Sequence, residues 1–237
     1  MLIDIETAPT SPSFEHLSDL EKGLWTHKSK YLISRLPEAD QKDILKNMYL
    51  EKAGIFAEFS KIICISVGLM IPKKKCVRVR LKSFFGDDEK KILKSFSELM
   101  DKYFNKLSKN YICGHNIKEF DIPFICRRMV KYQMDLPKLL DIVGLKPWET
   151  KHILDTMQLW KFGDYKNFTS LNLLAYVLDL PSPKNDMDGS MVGEVYWKNQ
   201  DLERIVKYCE SDVLSVAAIL GKFLKLPPIE SALKEED

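Results

Sequence analysis

Five side chains in three short segments are placed to do one kind of chemistry. Asp4 and Glu6 stand at the start of the chain, Asp121 in the middle, and Tyr208 and Asp212 near the end. Four carboxylates and a phenol that only folding can bring together match the needs of metal-assisted phosphodiester hydrolysis. In-line attack builds charge on the entering and leaving oxygens, and two divalent ions about 4 Å apart stabilise both. Hard oxygen donors suit Mg²⁺ or Mn²⁺.

Each piece also has a plainer explanation. Asp4 and Glu6 alternate with Leu2, Ile3 and Ile5, so on a strand both carboxylates share one face. Two such charges repel unless a cation sits between them, but taken alone an exposed strand end accounts for them better. Tyr208 and Asp212 lie four residues apart in a helical pattern, on the face carrying Ile205, Val216 and Ile219. A carboxylate beside that stripe needs a partner, and a Tyr–Asp hydrogen bond would serve as well as a functional role. Asp121 precedes Ile122-Pro123 at the start of a helical run, where Asp is an ordinary N-cap. Asn116 and Phe120 are not needed for capping: Asn116 could bind a phosphate or orient backbone, and Phe120 could stack or pack.

The elements that must position these residues follow from pattern and punctuation. Met1 to Glu6 reads as a strand. Residues 8–59, broken by Pro9, Pro12 and Pro37, show helical patterns at 13–23 and 39–53 and read as an insertion too poor in aliphatics for its own core. Lys61–Met70 and Cys76–Phe85 read as a hairpin turning at Lys73–Lys75. A helix from Asp87-Asp88 to about Leu107 follows, then a strand Tyr111–Cys113 ending at Gly114, and a helix from Asp121 to about Tyr132. Residues 151–162 suggest a strand end and a short helix. Further helices are expected at Leu171–Leu178 and from Asp201 to Leu224, where Pro227-Pro228 ends the last one. The order predicts an α/β fold with a mixed sheet flanked by helices. One domain is expected over 1–230, with 231–237 a frayed tail.

Composition agrees with a soluble protein that needs no crosslinks. The 237 residues are 45% hydrophobic and 30% charged, with a net charge of +2, which neither requires nor excludes nucleic acid. The five cysteines, Cys64, Cys76, Cys113, Cys126 and Cys209, form no Cys-x-x-Cys pair, so a zinc ribbon or disulfide framework is not expected. There is no signal-peptide pattern and no membrane-length apolar run, so a reduced cytoplasmic enzyme without a membrane partner is the expectation. Lys73–Lys75 with Arg78, Arg80 and Lys82 read as a solvated hairpin face. Arg127, Arg128 and Lys131, on the helix that begins at Asp121, are the better candidates for contact with a nucleic-acid strand. Asp186-Met187-Asp188-Gly189 invites a calcium loop, but Lys184 and Val195 fall where acidic ligands are required, and a loop beside the site fits better. His115 has no ligand partner at suitable spacing and reads as local packing.

In combination the motifs resemble those of the DEDD superfamily of exonucleases, tyrosine subclass. LIDIET covers Leu2 to Thr7, GHNIKEFDIPFI covers Gly114 to Ile125, and YCESD covers Tyr208 to Asp212. The second is especially close to the proofreading domain of family B DNA polymerases. Residues 8–59 and KNDMDGS, Lys184 to Ser190, resemble a stand-alone family of predicted 3′→5′ exonucleases related to that domain. The resemblance implies a ribonuclease H-like fold and two divalent ions, Mg²⁺ or Mn²⁺. It implies that Asp4 bridges both ions, that Glu6 and Asp212 complete the site of the water-activating ion, and that Asp121 holds the second. Tyr208 would orient or deprotonate the attacking water. The main chain at Ile5 to Thr7 would approach the 3′-terminal nucleotide, with Asn116 and Phe120 as further substrate contacts. Nucleic-acid 3′ ends, single-stranded DNA above RNA, are the implied partner. An RNA-trimming enzyme and a catalytically silent end-binding module are the alternatives, and the intact ligand set argues against silence.

Overall fold

The computed structural model describes residues 1–33, 38–181 and 187–234, and the side chains of all of these except 31–33, 38–43 and 230–234. Six strands form one mixed sheet: β1 (Leu2–Pro9), β2 (Ser60–Pro72), β3 (Val77–Phe85), β4 (Ile112–Gly114), β5 (Ile153–Asp155) and β6 (Ile229–Lys234), in the order β5-β4-β1-β2-β3-β6. β1–β2 and β2–β3 pair antiparallel, while β1–β4, β4–β5 and β3–β6 are parallel. The helices are α1 (Asp19–Ile33), α2 (Glu38–Lys52), α3 (Glu89–Tyr103), α4 (Asp121–Lys131), α5 (Thr156–Lys161), α6 (Leu171–Val177), α7 (Val192–Glu194) and α8 (Leu202–Phe223). The expected α/β architecture, a mixed sheet flanked by helices, is therefore present. Among the described residues no helix is long and apolar enough to cross a membrane. Cys64, Cys113, Cys126 and Cys209 are not in disulfides.

Strand alternation divides the molecule into two layers. Ile3 and Ile5 of β1, with Ile62, Ile65 and Val67 of β2, pack against Ile92, Leu93 and Phe96 of α3 and Ile122, Phe124 and Ile125 of α4. The opposite face of β1 carries Leu2, Asp4, Glu6 and Ala8. Leu2 packs with Val213, Val216 and Leu220 of α8, and Ala8 with Ile63, Val192 and Ile205. The register slips between Glu6 and Thr7, since Glu6 pairs with Cys64 but Thr7 with Ile62. This bulge turns the neighbours Ile63 and Cys64 of β2 to the same face, Cys64 packing with Val206 and Cys209.

Several expectations change. β1 runs on to Pro9, and α3 ends at Tyr103 rather than near Leu107. The tail expected to fray from 231 instead continues β6 along β3 as far as Lys234; the rest of it, 235–237, lies outside the described residues. The region between β1 and β2, read as too poor in aliphatics for a core of its own, has a small aromatic one. Trp25 is buried against Tyr49, Phe56 and Phe59 with ring centroids 5.3, 6.0 and 5.4 Å away, and its Nε1–H donates to the Leu45 carbonyl at 2.9 Å. Trp25, Tyr49 and Phe59 are buried and fill space in this core.

The clearest correction concerns Arg128. It is buried, not directed to solvent, and makes a two-pronged ion pair with buried Glu89: Nε donates to Oε1 at 2.8 Å and Nη2 to Oε2 at 2.6 Å. Nη1 donates to the Ala57 carbonyl at 2.7 Å, while Ile62 N–H and Tyr132 O–H also donate to Glu89. The group ties α3, α4, β2 and the residues preceding β2 together. It is unavailable to a ligand, whereas Arg127 and Lys131 are exposed. Breaking a buried pair leaves one charge uncompensated, so Arg128→Met is expected to cost about 3–5 kcal/mol in urea unfolding. A change within about 0.5 kcal/mol, as for a surface cation, would contradict this placement.

Candidate active site

β1, β4 and β5 run parallel and end at the same rim of the sheet. β1 has a parallel neighbour, β4, on one side and an antiparallel one, β2, on the other. β4 pairs with β1 only at Leu2–Cys113, and beyond that the two strands diverge. Gly114 permits their approach, because a Cβ there would lie 2.8 Å from the Ile3 carbonyl and closer still to the Ile117 side chain. Past the divergence the Ile5 N–H has lost its strand partner. The Asp121 carboxylate fills the gap, with Oδ1 accepting from Ile5 N–H at 3.1 Å. Asp121 is thus the first residue of α4 and not its N-cap, which is Phe120. Its side chain is committed across the sheet to the strand that carries Asp4 and Glu6.

The segment between β4 and α4 is held by a residue that sequence reasoning missed. Asp155, buried at the end of β5, accepts from the backbone N–H of Asn116 at 2.9 Å and of Lys118 at 3.2 Å, and it also caps α5 through Met157 N–H at 3.0 Å. Its only sequence signal is a local one, an Asp between a strand and a short helix. Asn116 adopts a positive φ of 62°, a conformation that Asn tolerates better than most residues. His115 is occupied by Thr156 Oγ1 and the Thr169 carbonyl, each at 2.9 Å, which agrees with the packing role expected for it.

α8 lays its polar positions over the same face of β1. Asp212 and Tyr208 share a side-chain hydrogen bond, and the Cys209 thiol donates to the Asp4 carbonyl at 3.4 Å. The four expected carboxylates and Tyr208 therefore come together. Burial is the main cause of the raised pKa of all four acids. Asp4 is pushed further by Asp121 and Asp212, and Glu6 by Asp4 and Asp212. Asp121 is pushed up to about 7, partly relieved by its backbone hydrogen bonds, and Asp212 to about 6 despite the Tyr208 bond. Burial, then the charges of Asp212, Glu6 and Asp4, drives the Tyr208 pKa far above that of a free phenol.

Two oxygens in this cluster, Asp4 Oδ2 and Asp212 Oδ1, are buried without a hydrogen-bond partner. Buried polar atoms rarely stay unsatisfied, and here they belong to mutually repelling acids. A divalent cation would answer both problems, and an all-oxygen donor set suits one. Asp4 and Glu6 come within ligand distance of each other, with Cys209 nearby. The thiol is an unsuitable partner for a hard cation, since burial and its neighbours raise its pKa and it already donates to main chain.

Beside the carboxylates lies a cleft of about 310 Å³. Ile5, Glu6, Thr7, Asn116 and Phe120 line one side of it, so all four expected substrate-contact residues share a single cavity with an acid of the cluster. The turn at Lys73–Lys75 sits at the opposite rim of the sheet, because β2 runs antiparallel to β1.

The electrostatics predict an inverted pH dependence for the metal-free protein. A carboxylate whose folded pKa is raised is ionised more readily when unfolded, so folding loses stability as pH rises from about 4 through the folded value. For Asp212 and Asp121 that window extends to about 6 and about 7. In EDTA at pH 8, Asp212→Asn is expected to raise the melting temperature by about 2 °C or more, with the gain shrinking toward pH 4. A fall at pH 8 in thermal scans would show that Asp212 is not under strain.

Comparisons with known proteins bear on the family and the fold. Residues 55–237 match the family described as predicted 3′–5′ exonucleases related to the exonuclease domain of PolB. No curated protein matches the chain. Among solved structures, the family B DNA polymerase from the hyperthermophilic archaeon Pyrobaculum calidifontis is similar in fold, with a TM-score of 0.52 at 15% identity. That similarity covers 70% of this chain and 22% of the polymerase, so the chain corresponds to about a fifth of that protein. With the family match spanning more than half its length, the chain belongs to the predicted 3′–5′ exonucleases related to the exonuclease domain of PolB.

Proposed function

We propose that this protein is a metal-dependent 3′→5′ exonuclease that removes nucleoside 5′-monophosphates from single-stranded DNA ends. The observation that carries the reading is the convergence of Asp4, Glu6, Asp121 and Asp212 beside a nucleoside-sized cleft, with two buried oxygens left without partners. In this reading Asp4, Glu6, Asp121 and Asp212 would hold two divalent ions, Mg²⁺ or Mn²⁺, with Glu6 and Asp212 serving the first and Asp121 the second. When bound, such ions supply an acidified water and neutralise charge on the attacked and leaving oxygens.

The chain's own groups account for the rest. Asp121 is oriented by the Ile5 N–H, so the strand that approaches the substrate and the acid on α4 are fixed relative to one another. Burial and the charges of Asp212, Glu6 and Asp4 push the Tyr208 phenol well above its ordinary range, which favours an orienting role over that of an unaided base. Its O–H donates to Asp212, which leaves the phenol oxygen to accept from a water and orient it. The main chain of Ile5 to Thr7, with Asn116 and Phe120, forms the wall against which the terminal nucleotide rests. A cleft of this size favours an unpaired end over a base pair.

Digestion of 3′- and 5′-labelled single-stranded DNA and RNA of one sequence, in Mg²⁺, Mn²⁺ or EDTA, tests the proposal. The expected result is a ladder shortening from the 3′ end of DNA, absent in EDTA and in Asp4→Ala. Tight end binding with no cleavage in either metal would indicate a silent binding module. A ladder from RNA alone would identify an RNA-trimming enzyme. Tyr208→Phe is expected to lower kcat by roughly 10²-fold or more while keeping substrate and metal affinity. An equal loss of binding would remove Tyr208 from the orienting role.

A further inference from the structure

The sheet rim opposite the carboxylates holds a second cavity, about 260 Å³ in volume, where β4 and β5 begin. Two connections form it. The one from α3 to β4 supplies Leu107 and Tyr111, and the one from α4 to β5 supplies Leu145 and Trp148. These four side chains are about half exposed, Trp148 at 63%, and Val143 in the second connection is 82% exposed. Both connections are closed by their own polar groups. Lys109 and Asn110 N–H donate to the Lys106 carbonyl, and Lys106 N–H donates to Asn110 Oδ1 at 3.0 Å. Lys146 N–H donates to Glu149 at 2.8 Å, and Thr150 Oγ1 to the Pro147 carbonyl at 2.9 Å. The exposed apolar side chains therefore sit on hydrogen-bonded turns. Apolar side chains gathered around one open cavity mark an interaction surface.

The border of the cavity is basic. Lys151 lines it, Lys106 and Lys109 flank Leu107 and Ser108 in the chain, and the Lys146 ammonium lies 5.2 Å from the centre of the Trp148 ring. All four lysines are exposed, and none forms an ion pair among the described residues. Against them stand two carboxylates, Asp141 and Glu149. The excess of positive charge favours an acidic occupant. The cavity adds a demand of shape. Its aliphatic walls, Leu107 and Leu145, and its small volume suit one bulky apolar side chain. A nucleic-acid strand would instead call for several stacking faces along a groove.

We propose that this groove docks an acidic segment of a partner protein. One bulky apolar side chain of the partner sits between Leu107, Leu145 and Trp148, and Lys106, Lys109, Lys146 and Lys151 face its carboxylates. Docking at this rim leaves the cleft beside β1 open, so both can be occupied together, and it does not depend on the chain being an exonuclease. Anisotropy titrations of the full chain with fluorescein-labelled hexapeptides test it. The probe is Asp-Glu-Phe-Asp-Glu-Asp, blocked at its C-terminus, with one control carrying Ala for Phe and another carrying Lys for every acid. Saturable binding of the probe is expected, about tenfold or more tighter than that of either control, and weaker as salt rises. Trp148→Ala, and Lys146→Glu combined with Lys151→Glu, are each expected to weaken it by about tenfold. Their melting temperatures should stay at the wild-type value, because all three side chains are exposed. No saturable binding, equal binding of the Phe and Ala peptides, or binding indifferent to these substitutions would overturn the proposal. Displacement of the probe by single-stranded DNA more readily than by unlabelled probe would assign the groove to nucleic acid and overturn it as well.

Discussion

Four carboxylates brought together out of water repel one another, and much of the structure around β1 serves to hold them despite that. Asp4 and Glu6 come from one strand, Asp121 from the start of α4 and Asp212 from the middle of α8. No single element can relax to separate them. Each is fixed by an interaction on a different side: Asp121 by the Ile5 N–H, Asp212 by Tyr208, and the β1 backbone by Cys209 and by its ladder with β2. The fold stores an electrostatic cost that a divalent cation would relieve, an arrangement typical of sites where function takes precedence over stability.

Holding that cluster requires a stiff frame, and the frame is polar as well as apolar. The Glu89–Arg128 pair joins α3 to α4 and reaches β2 through Ile62 and the preceding turn through Ala57. Asp155 fastens the segment that leads from β4 into α4. The bulge in β2 opposite Glu6 and Thr7 lets the acids and Ala8 stay on the face covered by α7 and α8 while β1 runs on toward the cleft. The aromatic core around Trp25 gives the region between β1 and β2 enough rigidity to act as a wall of the cleft, to which it contributes Leu50, Glu51 and Ile55.

Much of this was legible in the sequence where one element alone determines the arrangement. The period of a strand puts Asp4 and Glu6 on one face, and the turn of a helix does the same for Tyr208 and Asp212. The hairpin and the main helices follow from apolar spacing and from Pro and Gly. What escaped is what depends on distant partners. Arg128 looks like a surface cation until Glu89, 39 residues away, is placed beside it. Asp121 looks like a helix cap until the strands diverge and leave Ile5 N–H open. Asp155 carries no pattern beyond its position before a helix, and the cleft residues Leu50, Glu51 and Ile55 carry none. The β6 strand was hidden because a parallel edge pairing is decided by β3, not by its own short run.

A carboxylate cluster built to hold cations binds them without any substrate, so metal binding is the most direct measurement. Mn²⁺ binding to the wild type and to Asp4→Asn can be counted by electron paramagnetic resonance, with proton release read by calorimetry in buffers of different ionisation enthalpy. Two ions per chain, bound with release of protons from the raised-pKa acids and lost in Asp4→Asn, are the expected result. Binding by the wild type no tighter than by Asp4→Asn would show that the cluster is not a cation site.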